Sequence, residues 1–100
     1  MTSGYRIDWT DHALMELAET FEYLEKNWTE REMRNLSNEI ERTLSLISKN
    51  PELFQKSKIN NGVRRAVIMK YNSLYYRKNN DAIEILSFFS NRKDPKELEL

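Results

Sequence analysis

The sequence predicts an α+β domain: an N-terminal strand, an antiparallel two-helix hairpin, and then an antiparallel meander of three or four strands. Three observations carry this. Apolar and polar residues alternate at the start, recur at a helical period as far as Asn50, and return to a period of two after Pro51. Only a few residues separate the two helical stripes, which favours a hairpin. The later strand-like runs are divided by short turn signals, which favours neighbours in one sheet. A hairpin and a sheet that are each apolar on one side bury each other.

Taken in order, Tyr5-Arg6-Ile7-Asp8-Trp9 alternates and predicts a strand over residues 4–9. Thr10 or Asp11 can cap a helix by accepting from a free amide of its first turn. Ala13, Leu14, Leu17, Ala18, Phe21 and Leu24 then recur at helical spacing over residues 11–26, with Glu16, Glu19, Glu22 and Glu25 as a solvated face. Asn27 suits a left-handed helix exit. Thr29 and Glu32 have capping-box spacing. Met33, Leu36, Ile40, Leu44 and Ile47 mark a second helix over residues 29–49, stopped at Asn50-Pro51 because proline disfavours helix in the residue before it. Strands are predicted near residues 56–59, 63–70, 73–78 and 82–89, with turns at Asn60-Asn61-Gly62 and Asn79-Asn80-Asp81. Asp94-Pro95 begins a short terminal helix.

Composition limits the chemistry. One hundred residues make one small domain with one core. With no cysteine and a single histidine, disulfides, thiolate metal sites and multi-histidine sites are excluded, and no metal or cofactor is expected. No apolar stretch reaches the ~20 residues that span a bilayer, and Met1-Thr2-Ser3-Gly4-Tyr5 has no signal-peptide character, so a cytoplasmic protein without membrane contact is expected. Net charge is zero, yet residues 1–52 hold 11 acidic and 6 basic side chains, a net of −5, and residues 53–100 hold 5 and 10, a net of +5. From Lys56 to Asn80 there are seven basic residues and no acidic one. Such a block faces a phosphate backbone, an acidic protein, or simply solvent.

Several segments, in order, resemble the RelE/ParE superfamily of toxins. The run Tyr5-Arg6-Ile7-Asp8-Trp9-Thr10-Asp11-His12-Ala13-Leu14 is similar to that family's opening strand and helix start. Ile47-Ser48-Lys49-Asn50-Pro51 resembles its helix end, and Gly62-Val63-Arg64-Arg65 with Tyr71-Asn72-Ser73-Leu74-Tyr75-Tyr76-Arg77 its central hairpin. Ile83-Glu84-Ile85-Leu86 followed by Asn91-Arg92-Lys93-Asp94-Pro95 is similar to its final strand and tail. The resemblance implies the toxic half of a type II toxin–antitoxin system, neutralised by a small cognate antitoxin in a hetero-oligomer. Its target is either DNA gyrase, bound as a protein, or messenger RNA, cut on the ribosome.

The residues lean towards the first target. Cleaving RNA needs a base, an acid and a cation on the phosphate. Family nucleases commonly carry an arginine where this chain has Ser73, and a His or Tyr in the tail, where Phe88-Phe89-Ser90-Asn91-Arg92 has neither. Arg77 is four residues along the same strand, ~13 Å away, too far to replace it. A ParE-like inhibitor needs no acid–base pair. A toxin fold serving only as an inactive binding module is the third reading. Arg64, Arg65, Lys70, Tyr71, Arg77 and Arg92 are the target-binding candidates, with Arg65, Arg77 and Arg92 foremost. Of Arg64 and Arg65, which straddle the sheet, one is expected to hold the hairpin or tail through an ion pair. Tyr75 and Tyr76 point to opposite faces, one core and the other surface. His12, in the first turn of a helix, reads as structural, and Trp9 and Trp28 as packing.

Overall fold

The computed structural model describes residues 4–58, 60 and 62–100. The elements are β1 (Arg6–Trp9), α1 (Asp11–Asn27), α2 (Glu30–Lys49), β2 (Arg64–Ile68), β3 (Asn72–Asn79) and β4 (Ala82–Ser90), followed by a single 3-10 turn at Pro95–Glu97. The strand order is β1-β4-β3-β2. β2, β3 and β4 form the expected antiparallel meander. β1 joins it beside the last strand and runs parallel to β4, with Arg6 opposite Ala82 and Trp9 opposite Ile85, so the sheet is mixed.

Helix boundaries follow their caps. Thr10 accepts from the Ala13 amide at 3.1 Å. Thr29 and Glu32 form the capping box, each side chain meeting the other's backbone amide at 3.0–3.2 Å. The exit of α1 differs from expectation. Asn27 stays helical, its side chain donating to the Tyr23 carbonyl, and the chain leaves through Trp28 in extended conformation. No left-handed residue is needed because Trp28 and Thr29 turn directly into the next cap. Gly4, at φ +128, lets the chain enter β1 against the end of α2. A Cβ there would lie 2.6 Å from the Ser48 hydroxyl, which donates to the Tyr5 carbonyl at 2.7 Å.

Two strand expectations shrink. The strand near 56–59 reduces to a bridge between Lys56 and Arg64, with Arg65 donating to the Gln55 carbonyl; Ile59 lies outside the described residues. β2 stops at Ile68 because Met69 and Lys70 both take positive φ, 51° and 70°. Neither is glycine, so the β2–β3 turn is strained. It is held by Asn91, which donates through its amide to the Tyr71 carbonyl and through its side chain to the Lys70 carbonyl. Lys70→Gly should therefore raise the unfolding free energy by about 0.5–1 kcal/mol in urea titration. A loss of stability would show the turn to be unstrained.

The helices pack on one face of the sheet, α1 against β4 and α2 against β2 and β1. The main core joins Ala13, Leu24, Leu36, Ile40 and Ile47 to Ala66, Ile68, Leu74, Tyr76, Ile83, Ile85 and Phe88, with Trp9 and Trp28 packed at its border. Tyr76 is 1% exposed and its hydroxyl donates to the Pro51 carbonyl. Burial raises its pKa above the usual phenol value, against the opposing pull of Arg64 and the Phe54 backbone. A second, smaller cluster sits on the other face. There Val63, Tyr75 and Phe89 are covered by Leu86 and Leu98. Both tyrosines are thus buried, since the tail lies over the one expected at the surface.

The buried stripe of α1 is Ala13, Glu16, Thr20 and Leu24. Leu14, at 47% exposed, lies outside it, and Glu16, at 7%, lies inside. The cause is a bulge in β4. Tyr75 faces Ser87 while Tyr76 faces Ile85, leaving Leu86 as the extra residue. The Ser87 hydroxyl and the Phe88 amide both donate to Glu16 Oε1, at 2.6 and 3.0 Å. His12 Nε2 lies 3.3 Å from the same oxygen but without the alignment of a hydrogen bond. Among the described residues no helix is long and apolar enough to cross a membrane.

Candidate functional site

Side-chain alternation along β2 and β3 sends Ala66, Ile68, Leu74 and Tyr76 to the helices and Arg65, Val67, Ser73 and Tyr75 to the open face. The segment Phe54–Lys58 runs along the β2 edge and Pro95 of the tail approaches from the other side. Between them lies a groove of about 610 Å³ with Lys56, Lys58 and Arg65 on its walls, Val67 and Tyr75 on its floor, and no His, Asp or Glu. Val67 is 51% exposed there, whereas Tyr75 is only 6% exposed and offers no ring face for stacking.

Arg65 is held in place. Its Nε donates to the Ser73 hydroxyl at 2.9 Å, and that hydroxyl donates to Asn91 Oδ1 at 2.8 Å. Ser73 is fully buried. The position that lacks arginine therefore anchors an arginine from the neighbouring strand. Sequence reasoning missed this because it compared Ser73 only with Arg77 on its own strand. The signal was available in the hairpin, since Arg65 is two residues from Val67, which faces Ser73.

The remaining candidates scatter. Arg64 donates to the Phe54 carbonyl at 2.8 Å, so it holds the edge segment through a backbone carbonyl, without the expected ion pair. Arg64 and Arg77 share a smaller cleft with Lys56, Lys78 and Tyr76. Arg77 is paired with Glu84 across the β3–β4 ladder at 2.7 Å. Lys70 sits in the strained turn. Tyr71 and Arg92 meet in a slot on the helix side, where Arg92 lies over the Tyr23 ring at 4.1 Å. Arg65, Arg77 and Arg92 thus line different clefts. Lys56 and Lys58, not singled out in the sequence, are what Arg65 is grouped with. Among the described residues no cluster of three or more His, Asp or Glu side chains could hold a metal ion.

Comparison with known proteins fits this arrangement. Residues 7–95 match the family model described as the ParE toxin of the type II toxin–antitoxin system, parDE. The chain belongs to the ParE toxin family. A solved structure described as the chromosomal ParDE TA system from P. aeruginosa superimposes on this ParE-family chain with a TM-score of 0.73. That likeness covers 89% of this chain and 98% of the other at 14% sequence identity, and so concerns the fold. No curated protein matches. As a ParE-family chain it is a toxin-type component of a toxin–antitoxin system, with an antitoxin as the implied partner.

Proposed function

We propose that this chain inhibits growth in the cytoplasm by binding an essential protein, DNA gyrase, and that a cognate antitoxin neutralises it. The observation that carries this reading is the chemistry of the open-face groove. It presents three cations, one of them fixed by a buried hydroxyl, beside an exposed apolar residue, and no His, Asp or Glu lines it. Such a surface binds an acidic protein patch with an apolar anchor. RNA cleavage would need a placed base and acid, and single-stranded bases would need exposed aromatic faces. For the antitoxin, Leu14 and Met15 leave α1 about half exposed and suit an amphipathic helix, while the β1 edge of the sheet suits an added strand.

The test is induction in the native host, with messenger RNA ends and gyrase-linked DNA breaks mapped together. DNA breaks or loss of supercoiling with intact messages are expected. Codon-phased cleavage of translated messages would overturn the reading in favour of an endoribonuclease. Absence of both effects, with normal growth, would leave a binding module on a toxin fold.

A further inference from the structure

The chain after β4 is exposed from Asn91 to the last residue except at Leu98, which packs with Leu86 on Val63, Tyr75 and Phe89 on the open face of the sheet. Hydrogen bonds in this tail stay inside it. Lys96 donates to Asp94 Oδ1, Glu97 to the Asp94 carbonyl and Leu98 to the Pro95 carbonyl. Among the described residues no ion pair engages Asp94, Lys96, Glu97 or Glu99, and none engages Lys56, Lys58 or Arg65. The tail is thus fixed to the sheet by the apolar contact of Leu98, and a segment held so thinly opens without unfolding the rest. Tyr75 belongs both to the patch under Leu98 and to the floor of the basic groove, whose wall includes Pro95. Patch and groove are therefore one continuous surface.

We propose that the tail is a detachable strap, and that Leu98 holds the place of an apolar side chain of the target. The target then brings an acidic segment built around a large apolar residue. That residue displaces Leu98 from Val63, Tyr75 and Phe89, and the flanking carboxylates meet Lys56, Lys58 and Arg65. The tail itself shows what fits, since Leu98 stands between Glu97 and Glu99. It leaves the three cations without ion pairs, so a partner that reaches them gains charge complementarity that the tail does not use. A patch with two aromatic rings is the kind of socket in which an anchor carries most of an interface's affinity. While the strap is closed the socket is occupied, and the apparent affinity for the target falls by the fraction of chains that are open. In naming the target, the assignment rests on the gyrase reading above; the chemistry of the occupant rests on the tail.

The test uses the full chain throughout. In the parent, the Leu98 amide should exchange with solvent at least about 100-fold faster than the amides of β3 and β4. Equal protection would overturn the strap. Leu98→Ser vacates the socket, and Leu98→Ala does so more gently should serine prevent folding. The ¹⁵N-labelled variant is titrated with a synthetic peptide of residues 94–100 and with the same peptide carrying Leu98→Ser. The Val63, Tyr75 and Phe89 amide signals should return towards their parent positions with the first peptide at millimolar concentration, and not with the second. No response, or equal responses, would overturn the socket. With gyrase supercoiling as the readout, the variant should inhibit at a concentration about tenfold below the parent's, because the socket no longer has to be vacated. An unchanged or raised concentration would overturn the target as the partner that displaces the tail. So would a cognate antitoxin that alone gains affinity for the variant, and the antitoxin would then be the occupant. If neither protein inhibits gyrase, the gyrase reading and the named occupant fall together, while exchange and peptide binding still decide whether the strap exists.

Discussion

Replacing Glu16 by alanine should lower the unfolding free energy by about 3 kcal/mol, a fall of roughly 10–20 °C in Tm. The bulge in β4 withdraws the Phe88 amide from the ladder and turns the Ser87 hydroxyl towards α1. Both end on one carboxylate oxygen, and Ser87 and Phe88 beside it are buried. Alanine leaves two buried donors without an acceptor, each costing about 1–3 kcal/mol. Glutamine keeps an acceptor oxygen and should cost about 1 kcal/mol, the difference between a charged and a neutral hydrogen bond. Ser87→Ala removes one donor with its need and should also cost about 1 kcal/mol. Urea titration of the three variants checks the order. Should Glu16→Ala prove too unstable to purify, the other two still decide. Stabilities within 0.5 kcal/mol of the parent for both would mean the carboxylate does not support the bulge.

This site also shows where sequence reading stops. Helix existence and bounds were legible because their signals are local: Thr10, the Thr29–Glu32 box and Asn50-Pro51 each act within one turn. Which side of α1 is buried was less so. Leu14 and Ala18 outweighed Glu16 and Thr20 on hydrophobicity, although Ala13, Glu16, Thr20 and Leu24 share the helical spacing. The bulge that makes a carboxylate welcome lies some seventy residues away, and no pattern in α1 announces it. Pairing shows the same limit. The meander follows from short turns, whereas the parallel docking of β1 on β4 depends on contacts distant in sequence.

The candidate site was legible as a charge imbalance and not as a geometry. The positive excess after residue 52 is real, but alternation deals Arg64 and Arg65 to opposite faces, and Glu84 neutralises Arg77. Arg92 leaves the sheet altogether and rests on α1. What remains on the open face is Arg65, joined by two lysines from a segment expected to be a strand.

Arg65→Ala should therefore abolish most of the growth inhibition, raising the amount of protein needed to inhibit gyrase supercoiling by about 100-fold. Truncating one member of a desolvated charge pair in an interface costs about 2–5 kcal/mol, and about 3 kcal/mol corresponds to that factor. The fold should survive, since Arg65 is exposed and gives up one side-chain bond. Arg65→Lys should recover little, because an ammonium cannot hold Ser73 and still present a planar fork. Ser73→Ala tests the anchor itself. It leaves the guanidinium charge but frees its direction, and should weaken inhibition by about fivefold at unchanged net charge. Arg77→Ala, whose guanidinium is already engaged by Glu84, should change inhibition less than about twofold. The readouts are the induction level at which growth stops and the half-inhibitory concentration of purified protein, with circular dichroism to check each variant. If Arg65→Ala stays as toxic as the parent while Arg77→Ala loses toxicity, the target lies along the β3–β4 ladder and the groove is not its binding surface. If Ser73→Ala matches the parent while Arg65→Ala is inert, the guanidinium acts as an unanchored charge, and the buried hydroxyl network serves the turn at Met69-Lys70 alone.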